Sequence, residues 1–286
     1  MHARTVSIAS ALSINQHEKG CQDETVLHGD NNTAVKFLLG SFISLDIMAA
    51  ASTRCRPILG IDHSLVVEKL EIDLNNITAC ENWVIILILE ISRLDTWKSE
   101  AEANHKLSIV ELARRGHEIR ERLRRPLADI DLRQRLSEID IPSSTKFSPK
   151  DLSKLQTRRN HLETTKIFAL SAVTYLNVVL SGANPDLPEI TESVSNTIAA
   201  FKTIEDLKLL SNLAWPFCVT GCLALKEQYS TLRGLMSAAN AKTRDLRTYA
   251  KAFEIIEECW RARQAGSREI DWVSVMENSG CYVLLA

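Results

Sequence analysis

Apolar side chains in this chain recur at the spacing of helical turns and never settle into alternation. Ile190, Val194, Ile198 and Phe201 fall at intervals of four, four and three, and Leu246, Tyr249, Phe253, Ile256 and Trp260 step by three and four towards a stop at Gly266. Such stripes run along one face of a helix, whereas a half-buried strand needs a period of two. Ten glycines in 286 residues are also too few for a turn-rich β fold. The expected fold is all-α, a multi-helix antiparallel bundle, because short loops between helices force antiparallel neighbours.

Composition limits what such a bundle can do. With 45% hydrophobic and 24% charged residues, the chain can bury a sizeable core. Thirty-four Lys and Arg against 36 Asp and Glu leave a net charge of −2, so no overall positive field draws it onto nucleic acid. Seven cysteines contain no CxxC pair, and the odd number argues against a closed disulfide framework and for a reducing intracellular compartment. The first twenty residues hold no apolar run of signal-peptide length. The apolar windows Trp83 to Leu89 and Phe168 to Ala183 are short for a bilayer span and read as core helices, so no membrane partner is expected.

Residues 1–32 are polar and aperiodic and read as a poorly ordered lead-in, with a helical domain over 33–286. A central helix is expected from Ala34 to about Thr53, with Lys36 and Asp46 its only charges. A second starts behind Asn75 and Asn76 and runs through Trp83, Leu87, Ile91 and Leu94. A third covers Leu107 to Arg125 and stops at Pro126, with Leu127 to Ile139 a short helix of its own. Two prolines and several Ser or Thr make 141–151 the candidate linker between subdomains. Further helices are expected from His161 to Ser181, ended by Gly182, then from Pro188, and over Leu213 to Gln228.

Motifs for chemistry are scarce. The glycine spacing admits neither GxGxxG nor a P-loop, and there is no GxSxG. His117 and Glu118 begin like a zinc-protease motif, but the required second histidine is Glu121. Asp129 and Asp131, two apart, point to different helix faces and cannot share a magnesium ion well, which disfavours a terpenoid-cyclase-like enzyme. Cys218 and Cys222, one turn apart, lack two further ligands for zinc and read as buried thiols, with a redox pair as the weaker alternative.

The run Glu111 to Arg125 is the one basic cluster. Glu111, Glu118 and Glu121 each precede an arginine, Arg115, Arg122 and Arg125, by four residues, so the cluster reads as a solvated, partly neutralised face over a Leu112, Ile119, Leu123 stripe. Trp215, Trp260 and Trp272 could line a cavity for a small-molecule inducer, but at helical spacing they more often fill a core. These residues therefore nominate no catalytic, cofactor-binding, metal or DNA-binding side chain.

FALSAVTYLNVVLSGANPDLPEI, LLSNLAWPFCVTGCLALKEQ, and FEIIEECWRARQAG followed by DWVSVM stand in the order and rough spacing of a known domain, with FISLDIMAAASTRCRPIL upstream. The chain resembles the fungal-specific transcription factor domain, the C-terminal regulatory domain of zinc-cluster (Zn2Cys6) transcription factors, over about Thr33 to Ala286. The resemblance implies a nuclear, non-enzymatic role in RNA polymerase II transcription, often of specialised metabolism or nutrient use. It implies co-regulators or a homodimer partner and leaves room for a small-molecule inducer. The family's six-cysteine zinc cluster and its coiled coil are not seen in this sequence, so no cofactor is expected in it. Zinc and DNA are expected only through a separate or lost upstream module, or the protein is a finger-less relative acting through partners. A helical sensor is the rival reading, and an all-α enzyme the third.

Overall fold

The structure, a computed structural model, describes residues 24–139, 149–242, 247–267 and 269–286, and among these it is helical with no strand. Eleven helices follow in order: α1 (Glu24–Thr53), α2 (His63–Lys69), α3 (Asn75–Thr78), α4 (Asn82–Ala103), α5 (Ile109–Ile139), α6 (Pro149–Ser181), α7 (Pro188–Lys202), α8 (Ala214–Cys222), α9 (Tyr229–Lys242), α10 (Arg247–Gln264) and α11 (Trp272–Ser279). Short 3-10 turns at Leu207–Asn212 and Lys226–Gln228 flank α8.

The core is organised around α6. From Ile167 to Val179 this helix carries no charge, and Ile167, Phe168, Ala172, Tyr175, Leu176, Val178 and Val179 are all at most 4% exposed. A helix apolar on most sides must be covered on most sides, and α4, α5, α7 and α8 all pack on it. On one flank α1 leans on α4; on the other α10 covers α8 and α11 closes against α10. Buried residues from Ile43 to Leu285 join one apolar cluster, so the halves on either side of the 141–151 linker share a core. Of that linker, 149–151 form the first turn of α6 and the remainder lies outside the described residues. Likewise α1 begins at Glu24, ahead of the Thr33 expected, while the rest of the lead-in lies outside the described residues.

Several boundaries differ from those read off the sequence. Asn75 and Asn76 form the separate turn α3, because Ala79 takes a left-handed φ of 54° and ends it; α4 starts afresh at Asn82 behind Glu81. The side chain of Asn82 bridges that break, accepting from Leu74 N–H at 2.8 Å and donating to the Ile72 carbonyl at 2.7 Å. Pro126 does not stop α5, which continues to Ile139. An internal proline costs about 3 kcal/mol, and it is offset by burial of Ile130, 0% exposed, one turn beyond it. The helix after Leu213 ends at Cys222 rather than Gln228, and α9, unmarked in the sequence reading, follows it with Leu232 and Ala239 fully buried.

Helices α8 and α10 approach closely at Gly221. A Cβ there would lie 2.8 Å from Ile256 Cγ1, closer than side chains tolerate, and the Gly221 carbonyl accepts from Trp260 Nε1 at 2.9 Å. Gly221→Val should therefore cost about 2–3 kcal/mol by overpacking. Ile256→Ala in the same chain should recover part of that loss; strictly additive costs in urea unfolding would show that the two positions do not meet.

Candidate functional site

A buried polar cluster sits where the end of α1 meets α4, α6 and α11. Arg54, the residue after α1, adopts a φ of 54°, a conformation unusual for a side chain larger than Asn or Gly. From there its guanidinium reaches inward. Nε and Nη2 donate to the two oxygens of Asp95 at 2.6 and 2.8 Å, and Nη1 donates to Asp271 Oδ2 at 2.6 Å. Asp95 and Asp271 are 2% and 3% exposed. Their remaining capacity is used as well: Tyr175 OH donates to Asp95 Oδ2 at 3.3 Å, and Asp271 Oδ1 caps α11 by accepting from the Ser274 amide and hydroxyl, each at 2.9 Å.

Electrostatics follow from that geometry. Burial alone would lower the affinity of the Arg54 guanidinium for its proton, but the hydrogen bond and charge of Asp95 and the charge of Asp271 outweigh it, and the pKa is pushed up. Burial, reinforced by the Asp95 charge, raises the Tyr175 phenol. The Arg54 guanidinium is thus held charged and the Tyr175 phenol held protonated. The geometry is that of a latch, not of a reacting centre. Trp272 Nε1 adds a bond to the Ser52 carbonyl at 3.0 Å, fastening α11 to the end of α1.

A second buried polar centre shapes the turn after that latch. Asp46, read from the sequence as an isolated charge on the central helix, accepts from Ile58 N–H at 2.7 Å, Leu59 N–H at 3.0 Å and His63 Nε2 at 2.7 Å. Asn177 forms a third: Nδ2 donates to the Glu189 carbonyl at 2.8 Å while Oδ1 accepts from Arg120 Nη2 at 2.8 Å, joining α5, α6 and α7. None of the three was foreseen as a centre, since the partners that define each belong to different segments of the chain.

The residues singled out in the sequence fall elsewhere. Trp215, Trp260 and Trp272 are at most 2% exposed and pack within the core: Trp215 stacks on Phe168, Trp260 stacks on Tyr229 with ring centroids 3.8 Å apart, and Tyr175 meets both Trp215 and Trp272 edge to face. They line no cleft. An open cleft of about 920 Å³ lies instead between α2, α4 and α5 near Pro126, lined by Val67, Trp83, Ile86 and Leu87 together with Glu68 and Arg125.

In α5, Leu112, Ile119 and Leu123 are buried as the stripe requires, but only one of the three anticipated pairs forms, Arg115 with Glu111 at 2.6 Å. Glu118 pairs with Arg114, Arg122 reaches across to Glu90 on α4, and Glu121 holds Arg124 at 2.8 Å. Arg115 also lies over the Trp97 ring, 4.2 Å from its centroid. Asp129 pairs with Arg133 and Asp131 with Lys166, at 2.8 and 2.7 Å, so each carboxylate already holds its own cation.

Cys218 and Cys222 are fully buried with sulfurs 4.0 Å apart, and Cys259 packs beside them. Burial pushes the Cys222 and Cys259 thiols well up, which keeps them protonated and unreactive. Among the described residues no group of three or more His, Cys, Asp or Glu is placed to hold a metal ion, so the zinc chemistry of a cluster has no seat in them.

Comparison with known proteins bears on what a latched, fully packed helical domain is for. The description "Fungal specific transcription factor domain" matches residues 11–286. The chain belongs to this family. The match begins ahead of the Thr33 from which the resemblance was read. Relatives include the trichothecene biosynthesis transcription regulator TRI10 of Fusarium sporotrichioides, 28% identical over 92% of this chain and 57% of its own length. The protein of the same description from Trichoderma arundinaceum is 33% identical over 75% of this chain and 45% of its own length. Transcription factor dibT of Pestalotiopsis microspora is 31% identical over 89% and 42% respectively. The chain therefore spans about half the length of the curated relatives it matches. No solved structure matches it. Family and relatives are transcription factors, not enzymes.

Two measurements check this account. Arg54→Ala leaves two buried carboxylates without their cation and should cost about 3–5 kcal/mol in urea unfolding; a loss under about 1 kcal/mol, the worth of a surface pair, would show that the latch is not closed in solution. Alkylation of the native chain at mildly alkaline pH should modify the exposed Cys55 and Cys281 and spare Cys80, Cys218, Cys222 and Cys259, with peptide masses as the readout. Rapid labelling of Cys218 or Cys222 would revive the redox reading.

Proposed function

We propose that this chain is the regulatory region of a nuclear fungal transcription factor that governs RNA polymerase II transcription of a specialised-metabolite gene cluster. The observation that carries the reading is the family match over residues 11–286 together with relatives described as trichothecene biosynthesis transcription regulators. The buried clusters support it, because each ties helices or turns together, and among the described residues no group of three or more His, Cys, Asp or Glu is placed to hold a metal ion. The chain acts through restraint of the whole protein and contact with co-regulators, and DNA is reached through a separate module. With Glu and Arg interleaved on α5 and a net charge of −2, the chain itself supplies no field to hold a phosphate backbone.

A second reading rests on the cleft at Pro126, whose size and aromatic, apolar floor suit a small organic inducer. A ligand held there only by the native state would raise the melting temperature in a metabolite screen.

The regulatory reading is tested by tethering the chain to an unrelated DNA-binding domain in a fungal host with a cognate reporter. A several-fold change of reporter output in either sense is expected, together with altered transcripts of one biosynthetic gene cluster when the gene is deleted. An unchanged reporter with an unchanged transcript profile would overturn it. So would tight, sequence-specific DNA binding by this chain alone at physiological salt, since it would put the DNA reader inside it.

A further inference from the structure

Three hydrogen-bond donors on the first turns of α6 share one hollow. Lys154, Arg158 and His161 follow at intervals of four and three, which puts them on a single face of the helix. That face walls a cavity of about 420 Å³, bounded on the other side by Arg133 of α5 and by Asn75 and Glu81 at the two ends of the α3 turn. Among the described residues neither Lys154 nor Arg158 has an ion-pair or hydrogen-bond partner, and like charges one turn apart on a helix repel. His161 adds an N–H: Asn75 Nδ2 lies 3.1 Å from its Nδ1 and can only donate, so the ring proton sits on Nε2. The one carboxylate in the wall is already spent, since Glu81 accepts from Trp83 Nε1 at 2.7 Å and from Arg133 Nη1 at 3.2 Å. The lining thus sets Arg133, Lys154 and Arg158 against Glu81 alone, in a chain whose net charge is −2.

We propose that this hollow binds a phosphate group, carried by a small organic ester or present as the free ion. An ammonium, a guanidinium and an imidazole N–H offer more donors than a carboxylate has oxygens, whereas a phosphate monoester brings three oxygens and close to two negative charges. Pockets of roughly 300–1,000 Å³ hold small organic ligands, so a sugar-sized body fits beside the phosphate. A nucleic-acid backbone is the poorer occupant, because two unpaired cations in a recess meet one phosphate and extended binding takes a row of them. Bound there, a phosphate meets α6 through Lys154, Arg158 and His161 and α5 through Arg133, and so braces the two longest helices where the chain passes from one to the other. The hollow shares no lining residue with the cleft near Pro126. Its occupancy does not depend on the transcriptional reading, because only the chemistry of this corner is involved.

Isothermal titration calorimetry of the 286-residue chain at low salt, with glucose 6-phosphate and sodium phosphate as probes, decides the matter. One saturable site with a dissociation constant below about 1 mM is expected. Tighter binding of glucose 6-phosphate than of inorganic phosphate assigns the site to an ester, and equal binding assigns it to the free ion. Lys154→Ala and Arg158→Ala, each at an exposed position, should weaken binding by about tenfold while near-ultraviolet circular dichroism stays native. Lys251→Ala, on an exposed cation of α10, should leave it unchanged. No saturable heat with either probe up to about 10 mM overturns the proposal, as does binding that survives both α6 variants, or acetate held as tightly as phosphate. Duplex DNA bound without sequence preference and lost in both variants, with neither probe bound, overturns it in favour of a nucleic-acid surface.

Discussion

Everything in this domain is arranged to keep one helix dry. Between Ile167 and Val179, α6 presents apolar side chains on nearly every side, and the free energy of leaving such a helix in water exceeds that of any single polar contact around it. Four helices are drawn onto it, two from each half of the chain. The few polar groups it carries are then obliged to find partners inside: Asn177 joins two neighbours, Tyr175 reaches Asp95, and the carbonyl of Val179 receives Lys98 Nζ at 2.9 Å. The result leaves little room for a reacting group, because the positions where one would sit are already spent on satisfying buried donors and acceptors.

What the sequence made legible was the local part. Gly182 at φ 90°, Pro188 at the start of α7 and Gly266 at φ 105° end or begin helices where their chemistry says they should. The stripe Ile190, Val194, Ile198 and Phe201 faces the core at no more than 4% exposure. Errors arose where a local rule competed with packing. Pro126 reads as a stop, yet burial of Ile130 carries α5 through it; Leu223 to Leu225 read as helix, yet α8 ends at Cys222 and the chain turns before α9. Nothing local announces that Ala79 will take a left-handed φ, since alanine is the best helix former there is.

The candidate site was less legible for a different reason. Arg54, Asp95 and Asp271 are separated by 41 residues in one gap and far more in the other, and each looks like an ordinary surface charge in its own segment. Only the fold brings them together. The tryptophans show the reverse: their spacing was read correctly as core, while the cleft formed around Trp83, which had been taken for core itself. Periodicity tells which face of a helix is apolar but not whether a neighbour arrives to cover it, and α1, α4 and α5 each illustrate one outcome of that choice.

The bond from Trp272 to the Ser52 carbonyl spans 220 positions along the chain, and the one from Leu285 to the Ser52 hydroxyl spans 233. Contacts this distant in sequence cost loop-closure entropy before they contribute, so the end of α1 and α11 are joined only where the helices between them have already brought them close. Ser52 thus ties local order at one edge of the domain to the packing of all that lies between.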